Sequence, residues 1–143
     1  MDTYGFKVLS SQQDYQLAFS VMRELRPHIS DESTFIEQVQ RQQQQGYCLL
    51  AAWDDGQVKG LAGYRIQENF IYGRFLYIDD LVITDSERSQ GLGQQFIKLL
   101  REEAQQQKCT YFVLDTGLGN TLGQRFYFRQ GLLAKGLHFN QPL

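Results

Sequence analysis

Three features of the sequence predict an α/β fold with a mixed central sheet. Two amphipathic helical stretches precede three strand-like runs, and an Asp-Gly turn joins the first two of those runs. Beyond them, helices alternate with short apolar strands, the pattern of crossover units. The predicted order is β-α-α-β-β-β-α-β-α-β, in a single domain over residues 1–143 with no repeat and no linker.

A short first strand is expected at Tyr4 to Leu9, followed by a helix from Ser11 to Leu25. Its Leu17, Ala18, Val21, Met22 and Leu25 fall at helical spacing, and Pro27 breaks it. A second helix from Asp31 to Gln44 carries Phe35, Ile36 and Val39 as one apolar stripe. The tract RQQQQ is its solvated end, and Gly46 terminates it. The run YCLLAAW turns through Asp54-Asp55-Gly56-Gln57 into VKGLAGYRI, and after the polar QEN comes the long run FIYGRFLYIDDLVI. A third helix is expected from Gly91 to Gln107, with Leu92, Phe96, Leu99, Leu100 and Ala104 on one face. TYFVLD then reads as a buried strand, Thr121 to Gln130 as a short helix, and Leu132 to Phe139 as a last strand.

Composition narrows the function classes. With 143 residues, 42% of them hydrophobic, the chain buries roughly two-thirds of its unfolded surface and needs no disulfide or metal staple. A net charge of −2 argues against a phosphate-tracking nucleic-acid binder. No apolar run approaches the ~18 residues that span a bilayer, and the N-terminus lacks a signal-peptide core. A soluble cytoplasmic protein, with no nucleic-acid or membrane partner, is the expectation. Cys48 and Cys109 lie far apart in strand-like runs, and His28 and His138 have no partner at a telling spacing, so no metal site is expected.

Chemistry concentrates between Ile78 and Gly93. A strand ending Asp79-Asp80-Leu81-Val82-Ile83 passes through a polar turn into Arg88-Ser89-Gln90-Gly91-Leu92-Gly93, which opens an amphipathic helix. Glycines admit close backbone approach, outward amides cluster at the helix N-terminus, and the helix dipole favours an anion. Arg88 adds a fork suited to a phosphate. A P-loop is excluded because Gln94 and Gln95 follow Gly93 where Lys and Ser or Thr are required. A dinucleotide fingerprint is excluded for want of a third glycine, and the Gly117 to Gly123 stretch lies too near the C-terminus for that fold.

The R-x-x-G-x-G turn after an acidic strand resembles the acetyl-CoA pyrophosphate motif of the GNAT superfamily of N-acetyltransferases. A second signature, Asn120-x-x-Gly123-x-x-Phe126-Tyr127-x-x-x-Gly131-Leu132, is similar to the family's N-x-x-A-x-x-F-Y-x-x-x-G-F. The element order matches from Phe6 to Phe139, so a GNAT-like mixed sheet is implied. One departure is Ser89, where the family's R-G-x-G-x-G has its first glycine.

The resemblance implies an acetyl-CoA-dependent N-acetyltransferase acting by direct attack. Amides of Arg88, Ser89, Gln90, Gly91, Leu92 and Gly93 would hold the coenzyme A pyrophosphate. Leu81, Val82 and Ile83 would pair with the pantetheine arm, and Asn120 would contact the cofactor or cap its own helix. Tyr127 would protonate the departing thiolate. For the base, the Y-I-D-D-L-V-I run resembles the Y-L-E-D-F-F-V strand of polyamine-acetylating members and points to Asp79, acting directly or through water. Asp80 reads as a structural acid, since adjacent strand residues face opposite ways unless a bulge intervenes.

The acceptor is expected to be a small amine or amino-acid-like molecule, with protein amines remaining open. Asp79, Asp80, Asp115 and Glu68 suit a cation, whereas Arg65, Arg74 and Arg125 suit a carboxylate. Specificity is expected from Arg26 to Phe35, Glu68 to Arg74 and the C-terminal strand, through which the family also suggests a homodimer. Two alternatives remain at this point. One is a non-catalytic acyl-CoA-binding domain of the same fold. The other is a homodimeric aspartic protease built on Asp115-Thr116-Gly117.

Overall fold

The computed structural model describes residues 4–143. Packing divides the chain into two compact units, Met1–Val113 and Leu114–Leu143.

In the first unit the strands are β1 (Gly5–Val8), β2 (Cys48–Asp54), β3 (Gln57–Asn69), β4 (Gly73–Ile83) and β5 (Tyr111–Leu114), the last of which reaches the boundary. Its helices are α1 (Gln12–Leu25), α2 (Glu32–Gln43) and α3 (Leu92–Gln106), with a 3₁₀ turn at Asp85–Glu87. The strands lie in the order β1-β2-β3-β4-β5, and the first four pair antiparallel with their neighbours. Helix α3 is the crossover that brings β5 beside β4, which makes the sheet mixed.

Local chemistry sets the element ends. Ser11 caps α1 by accepting from the Asp14 amide, and Asp31 caps α2 by accepting from the Thr34 amide. Past α2, Gly46 takes a left-handed φ of 89° while the Tyr47 amide reaches back to the Gln42 carbonyl. Asp55 and Gly56 both have positive φ, at 52° and 72°, which is the turn a two-residue hairpin between Asp54 and Gln57 requires.

One boundary moves. The expected break at Gln67-Glu68-Asn69 is instead the end of β3, and the turn falls at residues 70–72. The Asn69 carboxamide oxygen accepts from the Ile71 and Tyr72 amides at 3.0 and 2.8 Å, so the asparagine organises the turn that follows it.

Helix α1 buries Tyr15, Ala18, Val21 and Met22, and α2 buries Phe35, Ile36 and Val39, in a cluster with Leu49, Ala51, Leu61 and Val82 of the sheet. Helix α3 buries Leu92, Phe96, Ile97 and Leu100, each contributing about 1.5–3 kcal/mol by leaving water. Its close approach depends on Gly60, where a Cβ would stand 2.8 Å from Phe96 Cε2.

The second unit holds α4 (Thr121–Arg129). Gly131, with φ of 90°, closes it, while the Gly131 and Leu132 amides return to the Phe128 and Tyr127 carbonyls. The element order runs as expected through α4. Residues 132–143 carry no regular element, although a strand was expected over Leu132 to Phe139. Leu133, Leu137 and Phe139 are exposed there. Alternating apolar residues mark a face, but a strand forms only where a neighbouring edge takes its amides and carbonyls.

Candidate active site

The β3–β4 ladder is out of step at one place. Gly63 pairs with Asp80 and Tyr64 with Ile78, so Asp79 is the extra residue of a bulge in β4. This alters the alternation expected of Asp79 and Asp80, and two arginines and a tyrosine gather around the pair. Arg26, just past α1, donates from Nε to Asp80 Oδ1 at 3.0 Å and from Nη2 to the Asp79 carbonyl at 2.9 Å. The Tyr47 hydroxyl donates to Asp80 Oδ2 at 2.7 Å, and Arg65 Nε donates to Asp79 Oδ2 at 2.9 Å. The Arg65 guanidinium also lies over the Tyr47 ring, 5.4 Å from its centre.

Both oxygens of Asp80 are engaged, and its side chain is 13% exposed. The Asp79 side chain is 27% exposed, and its Oδ1 has no partner among the described residues. Burial lifts the Asp79 carboxyl above the ordinary value, with Asp80 adding to the rise, while Arg65 and Arg26 oppose it. The Tyr47 phenol is pushed far up by burial and by the Asp80 charge, so it remains a donor.

Gly63 makes this arrangement feasible. A Cβ there would sit 2.6 Å from Tyr47 Cε1, so the tyrosine crosses the strand only where a side chain is missing. Tyr47 was not foreseen from sequence, and the one signal for it was a glycine inside an apolar strand.

Beyond the bulge, Leu81, Val82 and Ile83 pair with Ala62, Leu61 and Gly60 on the β3 side. On the other side β5 starts beside the far end of β4, where the Thr110 amide donates to the Arg74 carbonyl at 2.7 Å. Four residues of β5 cannot cover eleven of β4, so the edge at Leu81–Ile83 lies beyond the reach of β5.

The turn after β4 is tied to α1 through Glu24, whose carboxylate accepts from the Thr84 hydroxyl at 2.7 Å and the Asp85 amide at 3.2 Å. Arg88 folds back on this turn, 2.6 Å from Asp85 and donating to the Ile83 carbonyl, so its guanidinium shapes the loop. Ser89 and Gly91 are both left-handed, with φ of 68° and 81°. The serine in the family's glycine position keeps the glycine conformation, at a cost of about 1–2 kcal/mol. The first internal bond of α3 runs from the Gln95 amide to the Gly91 carbonyl, and among the described residues the amides of Ser89 to Gln94 have no backbone acceptor. A run of amides without backbone acceptors at a helix start is the arrangement that suits an anion.

In the second unit Asn120 caps α4, accepting from the Gly123 amide at 3.0 Å and donating to the Thr116 hydroxyl at 3.0 Å. Its folded side chain occupies the space a Cβ at Gly123 would need, 2.8 Å from Asn120 Cγ, which accounts for glycine where the family has alanine. Tyr127 packs edge-on against Phe126, with ring centres 5.3 Å apart, and burial raises its phenol above the ordinary value. Asp115 lies 3.4 Å from His138 Nδ1. Among the described residues no group of three His, Cys, Asp or Glu is placed to hold a metal, both cysteines are free, and no helix is long and apolar enough to cross a membrane.

The chain is 26% identical over 139 residues to YhdJ, an uncharacterized N-acetyltransferase of Bacillus subtilis, covering 96% of this chain and 97% of that one. Its fold superimposes on the crystal structure of an acetyltransferase from Trypanosoma brucei with a TM-score of 0.82 at 21% identity, over 99% and 100% of the two chains. It also superimposes on AAC(6')-Iy, solved with the bisubstrate analogue CoA-S-monomethyl-acetylneamine, with a TM-score of 0.85 at 16% identity, over 99% of each chain. The acetyltransferase (GNAT) family matches residues 12–132. That match sets aside the aspartic-protease reading of Asp115: the chain belongs to the acetyltransferase (GNAT) family.

Proposed function

We propose that this enzyme moves an acetyl group directly from acetyl-CoA to the primary amine of a small molecule, with Asp79 as base and Tyr127 as acid. The reading is carried by the β4 bulge, which leaves Asp79 Oδ1 unpartnered on a carboxylate whose basicity burial has raised. That carboxylate lies two residues from the strand edge beyond the reach of β5.

The residues fit an anionic cofactor. The amides of Ser89 to Gln94 would hold its pyrophosphate, and a Cβ at Gly91 would meet nothing, so this loop is open to a ligand. The backbone of Leu81, Val82 and Ile83 would continue the sheet onto the pantetheine arm, and an amide there would polarise the acyl carbonyl. When bound, acetyl-CoA supplies the activated thioester. Asp79 would accept, through a water because its side chain is a methylene shorter than glutamate, the proton that the acceptor ammonium must lose before its nitrogen can attack. Tyr127 returns a proton to the leaving sulfur. Asn120 contributes by holding the start of α4, the helix that carries Tyr127.

Asp79→Asn is expected to lower kcat/KM about 100-fold or more. Arg65→Gln gives a separate signature. The Arg65 charge lowers the Asp79 pKa, so its removal lets burial raise that pKa further. The acid-side limb of the kcat/KM profile is therefore expected to move to higher pH in Arg65→Gln and to vanish in Asp79→Asn. Thiol release measured across pH checks this, and an unchanged acid limb in both variants removes Asp79 from the mechanism.

A further inference from the structure

The bulge cluster contains two features that no internal contact uses. Arg26 spends Nε on Asp80 and Nη2 on both Asp80 Oδ1 and the Asp79 carbonyl, while Nη1 makes no bond among the described residues and the side chain is 41% exposed. Asp79 spends Oδ2 on Arg65 and leaves Oδ1 open. One guanidinium nitrogen and one carboxylate oxygen thus stay open on two residues that Arg26's bond to the Asp79 backbone ties together.

Charge makes the pair selective. Arg26 and Arg65 balance Asp79 and Asp80, so the cluster is neutral before an acceptor arrives. A diamine would add uncompensated positive charge to a half-buried site, and burying unpaired charge is costly. A zwitterion adds none. Its ammonium would meet Asp79 Oδ1 and its carboxylate Arg26 Nη1, open atoms on two residues already bonded to each other.

We propose that Arg26 is a specificity-determining residue and that the acceptor is an α-amino acid whose carboxylate it binds. This rests on the acetyl-transfer reading above, and the following experiment separates the two. Thiol release from acetyl-CoA is measured with a series of α-amino acids, the corresponding α-carboxamides and an aliphatic diamine. Calorimetry follows binding of the same amino acids to the chain saturated with coenzyme A. The acid is expected to exceed its amide by about 10-fold or more in kcat/KM, mostly through KM. Arg26→Lys, which keeps a cation beside Asp80 but loses the fork, is expected to bring that ratio toward one. Arg26→Gln should do the same, with circular dichroism reporting whether it folds. Turnover in which amide equals acid, or an acid-to-amide ratio unmoved in Arg26→Lys, overturns the inference and leaves acetyl transfer standing. Amino-acid binding that depends on Arg26, without turnover of any amine, upholds the inference and defeats the transfer reading. Absence of both binding and turnover defeats the two together.

Discussion

Replacing Tyr127 with phenylalanine is expected to lower kcat by about 100-fold or more while acetyl-CoA affinity is retained. The substitution deletes one hydroxyl and keeps the ring that packs edge-on against Phe126, so stability should stay within about 1 kcal/mol of the parent. The loss then reports proton delivery. Burial raises the Tyr127 phenol, so at neutral pH it is fully protonated and equipped to donate. Its deprotonation falls at higher pH than for an exposed tyrosine, and the alkaline loss of rate in the parent should shift accordingly. Single-turnover thiol release, with calorimetric binding of coenzyme A, distinguishes chemistry from binding. A kcat within about three-fold of the parent would eliminate Tyr127 as the acid.

The second large effect is expected at Gly63, a position far from any recognised motif. Alanine there places a Cβ 2.6 Å from Tyr47 Cε1, and the tyrosine cannot withdraw without giving up its bond to Asp80 and its contact with Arg65. Overpacking of this kind costs about 1–3 kcal/mol, and an Asp80 oxygen left unpartnered adds about 1–3 kcal/mol. Urea unfolding should therefore show a marked fall in midpoint. Activity should fall further than stability, because the bulge that presents Asp79 loses its anchor. Adding Tyr47→Ala removes the obstruction, so the double variant should be less destabilised than the two single effects summed. An alanine variant within about 0.5 kcal/mol of the parent would show that the strand shifts freely, and that Gly63 does not secure the site.

Much of the fold is local and was legible in residue order. Apolar spacing located the buried face of α2 and most of those of α1 and α3, though Leu17 is exposed and α3 buries Ile97 rather than Leu99. Asp55-Gly56 located a hairpin, and Gly46 and Gly131 ended their helices through left-handed conformations that glycine adopts without strain. The Arg88 to Gly93 turn and the Asn120 to Leu132 signature were likewise readable, because each is a short stretch whose amides and caps act on near neighbours. Periodicity also suggested a terminal strand, and there it misled, since alternation names a face without providing a partner edge.

Tertiary structure decided which carboxylate stays available. Asp79 and Asp80 are adjacent and chemically identical in the sequence, and nothing local separates their roles. The separation comes from Arg26, Tyr47 and Arg65, residues 54, 33 and 14 positions away from the aspartates they bind. A one-residue slip against β3 sets which aspartate they reach. Residue types and motifs determined that this protein belongs to the GNAT family and that a glycine-bearing turn opens α3. Strand register, fixed by contacts remote in sequence, determined which oxygen stands open beside the β4 edge. Register depends on the summed packing of the whole sheet, and no single segment encodes it.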